Sequence, residues 1–473
     1  MNKPTKTALS IIALLSSSSV WSDNLLEVYN LAKDNDPTYL ASDAGRMATN
    51  ERVNQSMASL LPQLSATYSY SKTDRESSGV NTIIGAIDDP ATPNIDESAP
   101  RNSSNESEST SSGYTVNLSQ ELYNHGTWLT LRQSEKRALQ SNINHEGSKH
   151  DLIIRVAEAY FNVLGAMDSL EFSKAETEAV SKELAQTKQR FEVGLIAMTD
   201  VHEAQSRHDR AVANQISAQN ALDNAHESLQ LITGEYHYDL LQLKDEIPLR
   251  NPQPENIKKW VKESEQNNVS IKASRIGLDI AKQSIDISQA GHYPSLSLSA
   301  SYSDGSGETD SEGTNFLGSF ADTSRTNDDG DQTTTSMSVN LNIPLYSGGR
   351  TNSQVKEAQN LYQQAAHNLE ADHRRAVSET RSSYLGVVAA VSSVQALNQA
   401  VISSQSALEA TQAGFEVGTR TIVDVLLQTQ QLYSAKRDHA RARYDYILNT
   451  LRLKRAAGLL SEEDLAQINK MLR

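Results

Sequence analysis

The tetrapeptide Phe191-Glu192-Val193-Gly194 returns as Phe415-Glu416-Val417-Gly418, 224 residues further on. Asp200-Val201 returns as Asp424-Val425, Gly234 as Gly458, and Ala159-Tyr160 is answered by Ser383-Tyr384, all at the same offset. Upstream, Leu61-Pro62-Gln63-Leu64 is answered by Tyr293-Pro294-Ser295-Leu296 at an offset of 232, so the drift falls in intervening loops. Matches that keep their order and confine their insertions to loops point to tandem duplication. A unit of more than 200 residues is too long for a solenoid repeat, so each half is expected to be a complete motif. The boundaries read as 23–247 for the first repeat, 248–458 for the second and 459–473 for a short C-terminal tail.

Each half reads as helix, strand, loop, strand, very long helix, break, helix. Residues 24–59 carry helical spacing. So do residues 126–190, which hold no proline and in which Leu152, Val156, Tyr160, Val163, Met167 and Leu170 step by three and four. At 1.5 Å per residue the second stretch reaches about 98 Å as one helix. After a break at Gly194 the pattern resumes over 197–233. There Val201, Ala204, His208, Ala211, Gln215, Ala218, Leu222, Ala225, Leu229 and Ile232 keep heptad spacing. The second half repeats the scheme over 255–291, 348–414 and 420–457. The two shorter helices of a half together match the long one, which suits a wall about 100 Å high.

Between the helices lie four segments of alternating polarity, expected as strands at 62–72, 114–123, 294–303 and 336–346. Leu64, Ala66, Tyr68 and Tyr70 alternate with Gln63, Ser65, Thr67 and Ser69; Tyr114, Val116, Leu118 and Leu122 with Thr115, Asn117, Ser119 and Glu121. Leu296, Leu298, Ala300 and Tyr302 alternate with serines, and Met337, Val339, Leu341, Ile343 and Leu345 with Ser338, Asn340 and Asn342. Each has the length of a tilted transmembrane strand with an apolar outer and a polar inner face, although a half-buried soluble sheet alternates in the same way. Four strands cannot close a membrane barrel, and open edges are not tolerated in lipid. Several chains are therefore expected to share one barrel, and three chains would give twelve strands. The joining segments 73–113 and 304–334, rich in Ser, Thr, Asn, Asp, Glu and Gly, read as long exposed loops on one side, with the helices on the other.

Composition narrows the function. Hydrophobic residues make up 37% of the chain and the formal charge is −16, which speaks against thick globular cores and against broad attraction to nucleic acid. The absence of cysteine excludes disulfides, thiolate metal sites and a cysteine nucleophile. Lys3 and Lys6, the apolar run Ala8–Leu15 and Val20-Trp21-Ser22 read as a secretory signal peptide cut after Ser22, which takes the formal charge to −18. No other long uncharged apolar stretch is read, so no spanning helix is expected. Neither a Walker loop nor a Gly-x-Gly-x-x-Gly turn is present, and the 11 histidines contain no i, i+4 pair. No enzymatic activity, metal or cofactor is expected. The alternative to a membrane duct is a soluble periplasmic structural or adaptor protein with a helical hairpin.

Several segments resemble outer-membrane efflux proteins of the TolC type. They are Asp23-Asn24-Leu25-Leu26-Glu27-Val28-Tyr29, Leu61-Pro62-Gln63-Leu64, Ala159-Tyr160-Phe161-Asn162-Val163-Leu164 and Arg190-Phe191-Glu192-Val193-Gly194. The last and most specific is Gly418-Thr419-Arg420-Thr421-Ile422-Val423-Asp424-Val425-Leu426. The resemblance covers essentially the whole mature chain. It implies a mixed α+β channel-tunnel: a homotrimer with a shared twelve-stranded barrel in Gram-negative outer-membrane lipid and a long periplasmic helical barrel. It implies a passive exit duct for drug efflux or type I protein secretion, working with a periplasmic adaptor protein and an inner-membrane efflux pump or ABC exporter.

The same resemblance implies a periplasmic gate. Thr199 and Asp200 follow the first helix break, and Arg420 and Asp424 the second. Arg420 is expected to hydrogen-bond Thr199 and pair with Asp200, with Gln189 as a further contact. Asp424, repeated at a narrow axis, would attract cations. The chain departs from the family pattern twice: Phe415 stands where a tyrosine is common, and Leu427 where a second acidic residue is expected. The competing role for Asp200 and Asp424 is helix capping, since both lie in first turns and Thr421 and Asp424 have capping-box spacing.

Overall fold

The structure is a computed structural model that describes residues 23–82, 100–317 and 320–473. The expected signal peptide, 1–22, lies outside the described residues. In chain order the elements are α1 (Leu25–Asn35), α2 (Pro37–Ala58), β1 (Gln63–Thr82), β2 (Pro100–Asn124), α3 (His125–Glu192) and α4 (Met198–Thr233). They continue as α5 (Ile257–Asn267), α6 (Val269–Ala290), β3 (Ser295–Leu317), β4 (Phe320–Asn342), α7 (Arg350–Glu416), α8 (Ile422–Ala456) and α9 (Glu462–Asn469). Two compact units result. One holds the described residues up to Thr49 with Arg137–Asp279 and Gln363–Arg473; the other holds Asn50–Lys136 and Ile280–Tyr362.

The second unit carries one antiparallel sheet in the order β1-β2-β3-β4. Its register aligns the four alternations. Ala66 pairs with Val116, Val116 with Tyr302, and across the next seam Ala300 with Met337 and Leu298 with Val339. All the apolar positions therefore share one face, and that face is open: Leu64 is 73% exposed, Met337 75% and Leu341 62%. The opposite face is a lattice of small polar groups, with Ser299 hydrogen-bonded to Ser338 at 2.7 Å and Ser301 to Ser336 at 2.8 Å. Tyr68, Tyr70, Tyr114 and Tyr302 collect at one end of the apolar band, where the Tyr114 and Tyr302 rings lie 6.0 Å apart. Tyr123 and Tyr293 stand at the other end. A bulge sets Tyr123 there: the register shifts between Glu121 and Tyr123, leaving Leu122 unpaired and Tyr123 opposite Leu296. The sequence alternation had assigned Leu122 to the apolar row.

The strands are longer than their amphipathic stretches. The ladder between β1 and β2 runs on to Thr82 and Pro100, and that between β3 and β4 to Leu317 and Phe320. Most of the expected loops 73–113 and 304–334 is thus hairpin. Apolar alternation ends where the burial pattern changes, but backbone pairing does not need it, and Ser and Thr extend the ribbons with both faces polar.

The first unit is helical, and its largest core surrounds the middle of α3. Leu152, Ile153, Val156, Ala157, Tyr160 and Val163 are fully buried along one broad face of the helix, while Asp151 and Asn162 stay exposed on the other side. Around them close α1, α8, α9 and residues 235–249. The Tyr160 hydroxyl donates to the Leu241 carbonyl at 2.8 Å, and short bridges Asp23–Leu240 and Leu243–Leu472 tie the chain ends to this belt. Residues 459–473, read as a tail, therefore form part of the core: Leu465 is fully buried in α9, and Lys454 of α8 pairs with Asp464. The α4 seam keeps its heptad residues inward, with Ala204 and Leu229 fully buried.

Two expected helices are each broken in two. Residues 24–59 split at Asp36, because Pro37 offers no N–H to continue the ladder. The buried Asp36 carboxylate accepts both Arg155 guanidinium nitrogens at 2.9 Å and the Tyr39 amide at 2.6 Å. The second-half stretch splits at Asn268, 232 residues on. Its side chain accepts from the Ser270 amide and donates to the Ala456 carbonyl, both at 2.9 Å. One further expectation is corrected. Residues 382–408 carry no charge, and α7 contains an 18-residue window of mean hydropathy 1.5, long and apolar enough to cross a membrane by composition. In the fold, Val387, Ala390 and Val394 of this stretch are buried in the helical core.

Two stability predictions follow from this belt. Gly234 and Gly458 both have φ near +75° (79° and 71°), but a β-carbon on Gly458 would lie 2.3 Å from the Asn267 oxygen, whereas one on Gly234 meets nothing closer than 3.5 Å. Gly234→Ala should cost about 1–2 kcal/mol of backbone strain, and Gly458→Ala clearly more, as read from thermal unfolding of the purified protein. Glu462 Oε1 accepts from Lys149 at 2.9 Å, Lys33 at 3.2 Å and Tyr29 at 3.1 Å; the Lys149 hydrogen bond foremost holds its carboxyl down at about 2. An unfolded glutamate titrates near about 4.3, so this contribution is complete above that value and is lost as pH falls toward 2. Glu462→Gln should lower the thermal midpoint at pH 7 by the equivalent of less than about 1 kcal/mol, given the solvent exposure, and the gap should close in strong acid.

Candidate gate at the helix turns

Two turns close the helical hairpins of the first unit: 193–197 between α3 and α4, and 417–421 between α7 and α8. Backbone bonds of the first turn recur in the second, which adds one from Arg420 N–H to the Gly414 carbonyl at 3.2 Å. Val193 N–H reaches the Gln189 carbonyl and Val417 N–H the Ala413 carbonyl, both at 3.3 Å. Leu195 N–H reaches Arg190 at 2.9 Å and Thr419 N–H reaches Gly414 at 2.8 Å. Gly194 (φ 77°) and Gly418 (φ 79°) take the left-handed conformation that ends each helix. Beneath the turns a separate apolar cluster joins Val180 and Leu184 of α3, Leu408 and Phe415 of α7, and Ile422, Val425 and Leu426 of α8.

The side chains differ where the backbones agree. In the second turn Thr421 caps α8. Asp424 Oδ2 accepts the Thr421 amide at 3.0 Å and its hydroxyl at 2.9 Å, and the Asp424 amide returns to Thr421 Oγ1 at 3.3 Å. The Thr421 backbone N–H, followed by its hydroxyl, holds the Asp424 carboxyl below the usual range. In the first turn the cap position is Ala197, which has no side-chain bond to offer. Asp200 therefore stands in the first turn of α4 with no side-chain partner among the described residues. The capping role belongs to Asp424 and not to Asp200.

Gln189 and Thr199 are exposed, and Arg420 is exposed on the second turn; among the described residues none of the three makes a side-chain hydrogen bond or ion pair. Within one chain Arg420 pairs with neither Thr199 nor Asp200. Leu427 is 47% exposed. Phe415 is buried, and the Arg190 guanidinium lies over its ring, 4.3 Å from the centroid. Such a cation–π contact is worth about 0.5–2 kcal/mol, more as water is excluded. Sequence reading had quoted Arg190 within a motif without giving it a role, because a contact between the ends of α3 and α7 is invisible to the periodicity of either helix. The signal was in the repeat: Arg190 aligns with Gly414, and Ile196 with Arg420.

An α+β chain with one amphipathic sheet and long helical hairpins is the fold of outer-membrane channels. The Campylobacter jejuni CmeC channel aligns with a TM-score of 0.70, covering 100% of this chain and 98% of that one at 16% identity. VceC of Vibrio cholerae aligns at 0.67, covering 92% and 96% at 17% identity. The chain belongs to the outer membrane efflux protein family, whose profile matches residues 28–235 and 260–459. It is 40% identical to the outer membrane protein TolC of Vibrio cholerae over 97% of this chain and 95% of that protein. It is also 26% identical to the alkaline protease secretion protein AprF of Pseudomonas aeruginosa, over 96% and 88% respectively.

The capping box predicts a local effect. Thr421→Val should cost about 1 kcal/mol and speed amide hydrogen exchange in the first turn of α8. The start of α4, which has no such cap, should be unchanged.

Proposed function

We propose that the protein is the outer-membrane exit duct of an efflux or type I secretion machine, and that three chains share one barrel. The observation that carries the reading is the sheet. Its apolar face is continuous and exposed over four strands, while β1 and β4 each leave one edge unpaired within the chain. In hydrocarbon an unpaired backbone edge is prohibitive, so the strands must meet those of further copies. Three copies give twelve strands, with the serine-rich face inward and wet and the tyrosine rows at the two lipid interfaces. The hairpin tips face outward and the helices lie in the periplasm, reached after removal of a signal peptide ending at Ser22. The two halves, 23–247 and 248–458, descend from a tandem duplication.

In this reading the protein is a passive conduit rather than an enzyme. A periplasmic adaptor and an inner-membrane pump or ABC exporter supply energy and substrate; the secretion-protein names of relatives such as AprF support export of proteins as well as small molecules. A soluble adaptor role finds no support, because the family profile spans both halves and the sheet between the helices. The periplasmic gate is formed by Gln189, Thr199, Asp200, Phe415, Arg420, Asp424 and Leu427. Arg420 makes no side-chain hydrogen bond or ion pair among the described residues, so its bonds to Thr199 and Asp200 join neighbouring copies. Each such exposed pair is worth only about 0–1 kcal/mol, and threefold repetition makes the closed state hold.

The test is conductance of the detergent-extracted protein in planar bilayers. Small discrete channels are expected from the wild type and larger ones from Arg420→Ser; recovery as a water-soluble monomer without channel activity would overturn the duct. Leu427→Asp should add an acidic ring below Asp424 and strengthen block by cobalt; equal block in both proteins would count against an axial position for this residue.

A further inference from the structure

We infer that Arg190 is the intrachain latch of the gate, a positioning residue that clamps the end of α3 onto Phe415 at the end of α7; this rests on the gate reading above. The two turns share a backbone but exchange their arginines. At the last turn of the long helix the first half carries Arg190 where the second carries Gly414, and in the following turn the first half carries Ile196 where the second carries Arg420. Each change suits the other. Gly414 leaves the end of α7 open, and a β-carbon there would lie 2.8 Å from Arg420 Cγ, so the glycine lets the Arg420 stem cross it. The gap at that helix end also leaves the Phe415 ring without a cationic neighbour from its own hairpin, and Arg190 of the other hairpin supplies one at 4.3 Å.

The two arginines consequently divide the work. Arg420 is exposed and makes no side-chain hydrogen bond or ion pair among the described residues, which leaves it open to a neighbour. Arg190 is turned inward onto a buried ring that joins Ile422, Val425 and Leu426. Phe415 itself has no hydroxyl, so no hydrogen bond from its ring can tie α7 to the first hairpin; the guanidinium does so by resting on the ring face. The charged group that competes for Arg190 is Glu183, on α3 itself. Burial foremost raises the Glu183 carboxyl, with the Arg190 charge and a Gln412 hydrogen bond opposing. With the latch closed, the tips of α3–α4 and α7–α8 move as one body; with it open, the second hairpin can swing apart from the first.

The experiment compares single-channel conductance of the purified full-length wild type with Arg420→Ser, Arg190→Ala, Phe415→Leu, the double variant Arg190→Ala/Phe415→Leu, Arg190→Lys and Phe415→Tyr. Far-UV circular dichroism and thermal unfolding accompany each. Expected are raised conductance in Arg190→Ala and in Phe415→Leu, no further rise in the double variant, and wild-type conductance in Arg190→Lys and Phe415→Tyr, which keep a cation and a ring. If Arg190→Ala does not assemble, Arg190→Met takes its place, keeping the stem and losing the charge. Wild-type conductance in Arg190→Ala or Arg190→Met, with Arg420→Ser enlarged, would overturn the latch and leave the gate standing. So would independent effects of Arg190 and Phe415 in the double variant. Wild-type conductance in Arg420→Ser as well would remove the gate reading itself.

Discussion

A backbone amide inside hydrocarbon has no water to bond to, and β1 and β4 each present an edge of such groups without a partner in their own chain. The rest of the molecule is arranged around that demand. The alternation of each strand, the shared register and the bulge before Tyr123 bring the apolar rows of the four strands to one face and serines such as Ser299, Ser301, Ser336 and Ser338 to the other. Among the described residues no element of its own unit covers the apolar face, which is exposed at Leu64, Met337 and Leu341.

The helical unit is held by a different device. In the middle of α3 burial covers a broad face of the helix, and segments far apart in sequence close over it: α1 on the one hand, α9 and Leu472 on the other. Toward the turns the burial narrows to a stripe through Val180 and Leu184. A broad buried face in the middle and a narrow stripe toward the tips make the first the more tightly held part and the second the freer one.

Much of this was legible in the chain. The long helices announced themselves by period, the turns by Gly194 and Gly418, and the membrane face by strict alternation. What escaped reading escaped for physical reasons. The hairpins beyond Ser71 and Asp304 have no apolar rhythm, since both faces are polar and only backbone pairing sustains them. The split at Asn268 depends on the Ala456 carbonyl, 188 residues away in sequence, whereas the one at Asp36 was announced by Pro37 and passed over. The charge-free run 382–408 looked unexceptional because Ser, Gln and Asn interrupt it, yet its alanines and valines make it the most apolar part of α7. At the two helix turns, the glycines and the capping-box spacing of Thr421 and Asp424 were readable from residue identities. The division between Asp424 as a cap and Asp200 as a free carboxylate needed the hydroxyl of Thr421 and its replacement by Ala197 to be seen in place.

That division matters to any small cationic compound directed at these two turns. The two aspartates are unequal anchors. One oxygen of Asp424 is already engaged by Thr421, so an amidine or guanidine group seeking both oxygens has to undo the start of α8 before it gains anything. Asp200 stands behind Ala197, which makes no side-chain cap, so engaging it leaves the start of α4 as it is. A blocker drawn to the more obviously ordered carboxylate would be drawn to the wrong one.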